Sequence, residues 1–432
     1  MTKINNTVAI IGLGYVGLPL AVLAREKGWE VLGIDINEPK VELIQRGQVP
    51  FRDDDLAEAL KKHPIQAGTD FSVVANAYII IIAVPTPVTA SNHPDLIPLT
   101  SAIANIKPYL KQGHTIVVES TVNPGVMDEV ISPLLKDVPA VHLVHCPERI
   151  NPGDAKWSVR NIPRVLGGYT KTGVNNAKHF YESVLEAPIK VMGSPTEAEA
   201  VKIMENTFRD INIAYINEMA RSFAVLGIDI TNVIAGAATK PFAFMPHYPG
   251  NGVGGHCISV DPYYMIERAK QVGFDHKFLK LARRINEDMP SYMVELLLKA
   301  SQEAKLPVNQ LKVGLLGLAY KKNVSDIRNS PALKTLALLK KQSITVQTFD
   351  PFIPKRSDAA SLSEVLSNSN AIMLTCDHTK IVHSLTPQHL QAAGIKIVID
   401  GRNVLNMPAI VRAGLVYYGI GKMPHPLSAS VK

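Results

Sequence analysis

Thr7-Val-Ala-Ile-Ile-Gly-Leu-Gly-Tyr-Val-Gly17 decides the fold at the amino-terminal end of this chain. A short apolar stretch rich in β-branched residues predicts a strand and runs straight into G-x-G-x-x-G. Leu18 to Lys27 then repeat apolar residues at helical spacing, and Trp29 to Ile34 predict a second strand ending at Asp35. Strand, glycine turn, helix, strand and an acidic residue about 20 positions on are the context in which this motif holds a dinucleotide. Gly12 permits the tight turn, Gly14 lets the backbone approach a pyrophosphate, and Gly17 lets the helix pack close to the sheet. The phosphates would sit over the helix N-terminus. Asp35 would accept hydrogen bonds from the ribose hydroxyls and repel a 2′-phosphate, which favours NAD over NADP. The motif alone leaves open a glycine-rich turn in an α/β domain that binds nothing.

The same βα rhythm continues outward, with strands predicted from Ile79 to Val84, Thr115 to Glu119, Val141 to His145 and Arg164 to Gly167. Their loops carry Pro85-Thr-Pro87, Ser120-Thr-Val-Asn-Pro-Gly125 and Cys146-Pro-Glu-Arg-Ile-Asn-Pro-Gly153. Ligands of open parallel sheets bind beyond the carboxyl ends of the strands, so Thr86, Ser120, Thr121 and Glu148 should face the nicotinamide side. The plainer reading is that the Ser and Thr hydroxyls cap the following helices.

A chain of 432 residues has room for two or three domains. Its 46% hydrophobic and 19% charged residues fit an ordinary globular protein. The formal charge of +7 comes without a Lys/Arg run or interleaved aromatics, which argues for an anionic small molecule over nucleic acid. Three cysteines, Cys146, Cys257 and Cys376, lie far apart. That spacing argues against a disulfide framework and a zinc site, and for a reducing cytoplasm. The apolar run from Ala77 to Pro85 is too short for a bilayer, and the amino terminus leaves no room for a signal peptide. No membrane partner and no metal are expected.

From Pro195 the pattern turns helical, with apolar residues at Val201, Met204, Phe208, Ile211, Tyr215 and Met219 and a polar stripe carrying Lys202, Asn206 and Arg209. A helix this long links domains or packs against a twin. Further helices are predicted from Ile230 to Ala238 and from Phe274 to Lys299, separated by Gly250-Asn-Gly-Val-Gly-Gly-His-Cys-Ile-Ser-Val-Asp261. This loop sets a lone thiol among glycines, with Asp261 four residues on. It reads as a covalent nucleophile with a polar partner, or as a small buried thiol. A second βα series begins at Leu311-Lys-Val-Gly-Leu-Leu-Gly-Leu318, without an intact fingerprint. The basic stretch Ala319-Tyr-Lys-Lys-Asn-Val-Ser-Asp-Ile-Arg-Asn-Ser-Pro331 follows its first strand. Lysine and arginine there suit a diphosphate, or merely a solvated loop.

Taken in order, GLGYVGLP, VPTP, ESTVNPG, PERINPG, KIMENTFRD, GVGGHCISVDPYY and AYKKNVSDIRNSP resemble the nucleotide-sugar 6-dehydrogenases, the UDP-glucose/GDP-mannose dehydrogenase family, over nearly the whole chain. The resemblance implies an α/β fold of two doubly wound Rossmann-like domains joined by a central helical domain with a long helix. It divides the chain into an NAD-binding domain (1–194), a dimerisation domain with the cysteine loop (195–305) and a UDP-sugar-binding domain (306–432). It implies oxidation of a sugar C6 alcohol to a carboxylate with two NAD⁺ and an enzyme thioester, by a cytoplasmic homodimer or higher homo-oligomer feeding a surface polysaccharide.

Carried over by position, Cys257 matches the nucleophile, and Lys202 and Asp261 the pair that handles the C6 proton and supports a water. Thr121 matches the residue positioning that water, Glu148 the acid assigned to thioester hydrolysis, and Asn206 an oxyanion contact. The cofactor would meet Gly12, Gly14, Tyr15, Val16, Gly17, Asp35, Pro85, Thr86, Ser120, Thr121 and Arg328. The UDP-sugar would meet Glu148, Arg149, Ile150, Lys202, Asn206, Tyr248, Gly254 and Lys321.

Where UDP-glucose enzymes have a second acidic residue this chain has Pro152, and it carries Arg149, which that branch lacks. PERINPG, with Ala238-Thr-Lys-Pro-Phe242 before Tyr248-Pro-Gly250, is similar to the UDP-N-acetylhexosamine branch. The expected substrate is UDP-GlcNAc, then UDP-GalNAc, then UDP-ManNAc, with UDP-glucose behind them. Asn251 and Cys146 replace a common proline and a common serine. The arginine that the family donates from a neighbouring subunit has no match; Lys240 and His247 are the nearest substitutes. A one-step hydroxy-acid dehydrogenase and a non-enzymatic nucleotide-sugar sensor are the rival classes.

Overall fold

The computed structural model describes residues 6–51, 53–87, 89, 94–150, 156–255 and 258–422. Two compact units emerge, residues 1–205 with 263–273, and 206–262 with 274–432. Each is built on a doubly wound sheet, with long helices in the middle of the chain.

The first unit holds β1 (Thr7–Ile11), β2 (Glu30–Ile34), β3 (Gln66–Gly68), β4 (Ile79–Ile82), β5 (Thr115–Val118), β6 (His142–His145), β7 (Arg164–Gly168) and β8 (Ile189–Val191). They form one sheet in the order β3-β2-β1-β4-β5-β6-β7-β8. The four isoleucines of β4 are all buried, as a central strand covered on both faces requires. Ile79 and Ile81 join Val8 and Ile10 in one core, while Ile80 and Ile82 join Ala9 and Ile11 in the other. All pairings are parallel except β6 with β7, which is antiparallel. The sequence rhythm predicts a parallel strand there. A parallel neighbour needs a crossover, usually a helix, and the described residues between β6 and β7 hold none.

The second unit holds β9 (Lys312–Leu316), β10 (Thr345–Phe349), β11 (Ala371–Leu374), β12 (Ile397–Asp400) and β13 (Val416–Gly419), ordered β10-β9-β11-β12-β13 and parallel throughout. The helix Lys277–Glu303 packs Met289, Met293 and Leu297 into this core.

The helix Pro195–Val225 buries polar residues rather than its apolar stripe. Its apolar stripe is the outward one: Met204, Phe208 and Tyr215 are 74%, 48% and 56% exposed. Glu199, Lys202, Asp210 and Asn217 are buried on the opposite face, roughly 120–180° away at about 100° per residue. Asp261, read as a loop residue, instead begins the helix Asp261–Gln271. No helix among the described residues is long and apolar enough to cross a membrane.

Candidate functional site

In the first unit the glycine turn has the predicted build. Gly12 takes φ +93°, its N–H donates to Ile34 at 2.8 Å, and a Cβ there would lie 2.6 Å from the Ala83 carbonyl. A Cβ on Gly17 would come within 1.9 Å of the Gly12 carbonyl oxygen. Gly14 has open space where its Cβ would be, and Val16 begins the helix Gly17–Glu26 without a side-chain cap. Open space at the turn and an uncapped helix N-terminus fit a pyrophosphate. Tyr15 stacks on Phe51 at 4.1 Å. The Asp35 carboxylate accepts from Leu13 N (2.9 Å), Asn37 N (3.0 Å) and Lys40 Nζ (2.6 Å). A ribose would therefore compete with Lys40, a neighbour the sequence reading passed over.

At the carboxyl ends of β4 and β5, Thr86 Oγ1 donates to the Thr121 carbonyl at 2.6 Å and Ser120 Oγ to Val84 at 2.7 Å. These hydroxyls brace two loops against each other rather than capping helices. Pro85 is exposed, and Tyr264 donates to the carbonyls of Thr86 and Pro87. Glu148 is buried; its N–H donates to the Glu119 carbonyl at 3.3 Å, and its carboxylate accepts from Ile150 N. Arg149 forks onto Glu205 and donates to the Pro163 carbonyl at 2.9 Å. Lys202 is buried on the long helix.

Behind Glu148 lies a buried group that motif reading did not find. Tyr181 donates to Glu119 at 2.6 Å, Arg164 stands 3.7 Å from the same carboxylate, and Cys146 adjoins them. Burial pushes the Cys146 thiol up to about 12 and raises the Glu119 carboxyl. Burial also works against the charge of Arg164, but Glu119 and Glu148 outweigh it and raise the guanidinium.

In the second unit Asn206 Nδ2 donates to Asp261 Oδ2 at 2.5 Å. Arg283 and Asn286 both donate to the Asp210 carboxylate, at 2.7 and 2.8 Å, and Asn217 Nδ2 donates to Asn286 Oδ1 at 2.9 Å. Asn217 Oδ1 in turn accepts the Gly250 N–H at 2.9 Å, so this chain of bonds holds the entry to the glycine loop. Gly254 and Gly255 press against Tyr320, where a Cβ would lie 2.7 and 2.9 Å away. Cys257 and His256 lie outside the described residues, as do residues 151–155 with Pro152. Lys321 is half-buried, Tyr248 is exposed, and Arg328 forks onto Asp326 at 2.6 and 3.0 Å. Lys240 lies over the Phe242 ring and His247 against Phe208.

A cavity of about 820 Å³ opens at the opposite end of the first sheet, beside Thr7, Glu30 and His114. It lies at the amino ends of the strands, away from the glycine turn, and we assign it no role. Among the described residues no group of His, Cys, Asp or Glu is placed to hold a metal ion.

Three segments match one family. Residues 6–185 match the NAD binding domain of the UDP-glucose/GDP-mannose dehydrogenase family, 196–288 its central domain and 314–407 its UDP binding domain. A UDP-N-acetyl-D-mannosamine dehydrogenase of Pyrococcus horikoshii is 34% identical over 424 residues, covering 96% of this chain and 99% of that one. A UDP-N-acetyl-D-glucosamine 6-dehydrogenase of Pseudomonas aeruginosa is 37% identical over 352 residues, 80% of this chain and 83% of that one. The solved structure of the UDP-D-ManNAc dehydrogenase from Pyrococcus horikoshii superposes with a TM-score of 0.88 at 33% identity, covering 96% of this chain and 99% of that one.

Proposed function

The chain belongs to the UDP-glucose/GDP-mannose dehydrogenase family, and from that premise we propose that it oxidises C6 of a UDP-N-acetylhexosamine to the carboxylate in two NAD-dependent steps. Bound NAD⁺ accepts the two electrons of each step. The observation that carries the proposal is the Asn206–Asp261 hydrogen bond, which joins two residues of the expected catalytic set from distant parts of the sequence. The C6 hydroxyl proton passes to a water supported by the Lys202–Asp261 pair, while the Lys202 ammonium stabilises the charge developing on that oxygen, as Asn206 does. The Cys257 thiol adds to the aldehyde carbon; oxidation of that thiohemiacetal leaves a thioester. Water held by Thr121 and activated by Glu148 attacks the thioester, releasing the acid and the thiol.

UDP-GlcNAc is the first choice of sugar, supported by the 37% identity to a glucosamine enzyme. UDP-ManNAc is the second reading, favoured by the full-length match to a mannosamine enzyme. The reading further divides the chain into three parts at 194/195 and 305/306, with a homo-oligomer formed over the exposed apolar face of the helix Pro195–Val225 and a reducing cytoplasm that keeps Cys146 and Cys376 as free thiols. Lys321 contacts the UDP-sugar and Arg328 the cofactor.

The test is NADH formed per sugar consumed, with UDP-GlcNAc, UDP-ManNAc and UDP-GalNAc, for the parent and Cys257→Ser. Two NADH per sugar, lost or stalled in the variant, is the expected result. One NADH per sugar, indifferent to the variant, would overturn the thioester route.

A further inference from the structure

Glu199 joins the long helix to a loop at the carboxyl end of the first sheet. Its carboxylate is fully buried; Oε2 accepts the Gly125 N–H at 2.7 Å and Oε1 the Met127 N–H at 2.8 Å. The Gly125 N–H ends the Ser120-Thr-Val-Asn-Pro-Gly125 turn and the Met127 N–H begins the helical segment after it, while the other end of the turn is braced by Ser120 on Val84 and Thr86 on Thr121. Lys202 lies three residues further along the same helix, so Glu199 and Lys202 share a face. We infer that Glu199 is a positioning residue that holds the Thr121 turn in register with Lys202, and does so fully only as a carboxylate. The inference rests on the reading that Lys202 and Thr121 act at C6.

Protonation would turn one oxygen into a donor and a poorer acceptor, removing the charge assistance and weakening its bond to one of the two N–H groups. Burial pushes the Glu199 carboxyl up to about 7, against the pull of the two backbone donors. The charged groups facing it are Asp128, which raises it, and Arg268, which lowers it while bonded to Glu129. Asp128 is itself held by Tyr169 at 2.5 Å and Thr196 at 2.6 Å.

A raised acid gives opposite signs for activity and stability. The folded state binds the proton more tightly than the unfolded one, so stability declines as pH rises from about 4.5 to about 7. Turnover, needing the carboxylate, rises over the upper part of that window. A merely structural carboxylate would not make the two move apart.

The experiment measures kcat, KM and Tm against pH for the full-length enzyme, Glu199→Gln and Lys202→Ala. Expected for Glu199→Gln is a kcat about tenfold lower at pH 8, KM within about twofold of the parent, and no kcat step near neutrality. Parent-like kcat and pH profile in Glu199→Gln, with Lys202→Ala inactive, would overturn the inference alone. Full turnover by Lys202→Ala would overturn the functional reading and the inference with it. Should Glu199→Gln fail to fold, the parent decides: a kcat flat through the region around pH 7 overturns the inference, and a rise opposed by a falling Tm supports it.

Discussion

The two sheets begin with the same turn and use it differently. Gly12-Leu-Gly-Tyr15 and Gly317-Leu-Ala-Tyr320 stand at the ends of β1 and β9. Gly12 and Gly317 take φ +93° and +91°, and their N–H groups donate to Ile34 and Phe349 at 2.8 and 2.9 Å. Leu13 and Leu318 then donate to Asp35 and Asp350, at 2.9 and 2.7 Å. There the likeness ends. Gly14 faces open space and the helix starts at Gly17, whereas Ala319 is buried, also donates to Asp350, and is followed by a loop before the helix Pro331–Lys341. Asp350 is further closed by Phe352 N at 2.8 Å and by His378 Nε2 at 3.0 Å, the Asp350 and His378 side chains being fully buried. One carboxylate stands at an open dinucleotide turn; the other braces a closed turn whose loop offers Lys321, Lys322 and Arg328 instead.

The largest effect should come from Gly17→Ala, whose Cβ meets the Gly12 carbonyl at 1.9 Å. It should weaken NAD binding by roughly 100-fold or unfold the first unit, read by calorimetry and circular dichroism. Parent-like affinity would mean that this close packing is not what shapes the open turn.

Next is Asp350→Asn, which places an amide against N–H donors and should cost about 3 kcal/mol in urea unfolding. Burial opposes ionisation of Asp350, but the His378 hydrogen bond and charge, with the backbone donors, hold the carboxyl below its ordinary value. A depressed acid stabilises the fold above its unfolded pKa and loses that contribution as pH falls through the folded one. The gap between parent and variant should therefore narrow below about pH 4. A gap constant with pH would remove the charge from the account.

Asp35→Asn should be milder in stability and should weaken NAD about tenfold, equivalent to about 1.4 kcal/mol. If it costs as much stability as Asp350→Asn, the contrast between open and closed turns fails. The smallest effect belongs to Lys40→Met, since a partly exposed ion pair contributes about 0–1 kcal/mol. NAD affinity should move less than about threefold; a larger change would make Lys40 part of the ribose site.

The Gly12 turn and ten of the thirteen strands among the described residues were legible from local patterns, because each needs only a strand period and a turn residue. The short β3, β8 and β13 carry too few residues to show a period and were not read. The long helix was legible in extent but not in orientation. Its apolar period is real, yet Glu199, Lys202, Asp210 and Asn217 occupy the buried side, where partners such as Gly125, Arg283 and Asn286 compensate several of them. Spacing along one helix cannot reveal partners that arrive from dozens of residues away. The antiparallel β7 escaped for the same reason, since a strand's direction depends on how the preceding segment returns to the sheet.

Cofactor class and the order of the two βα series thus follow from residues read along the chain, since turn chemistry and side-chain period are local properties. The bracing of Thr121 by Thr86, the burial of Glu199 against Gly125 and Met127, and the closure of Asp350 by His378 were decided in three dimensions. Each joins groups whose cost of burial is met only by a partner distant in sequence, and only the folded chain brings that partner within hydrogen-bond reach.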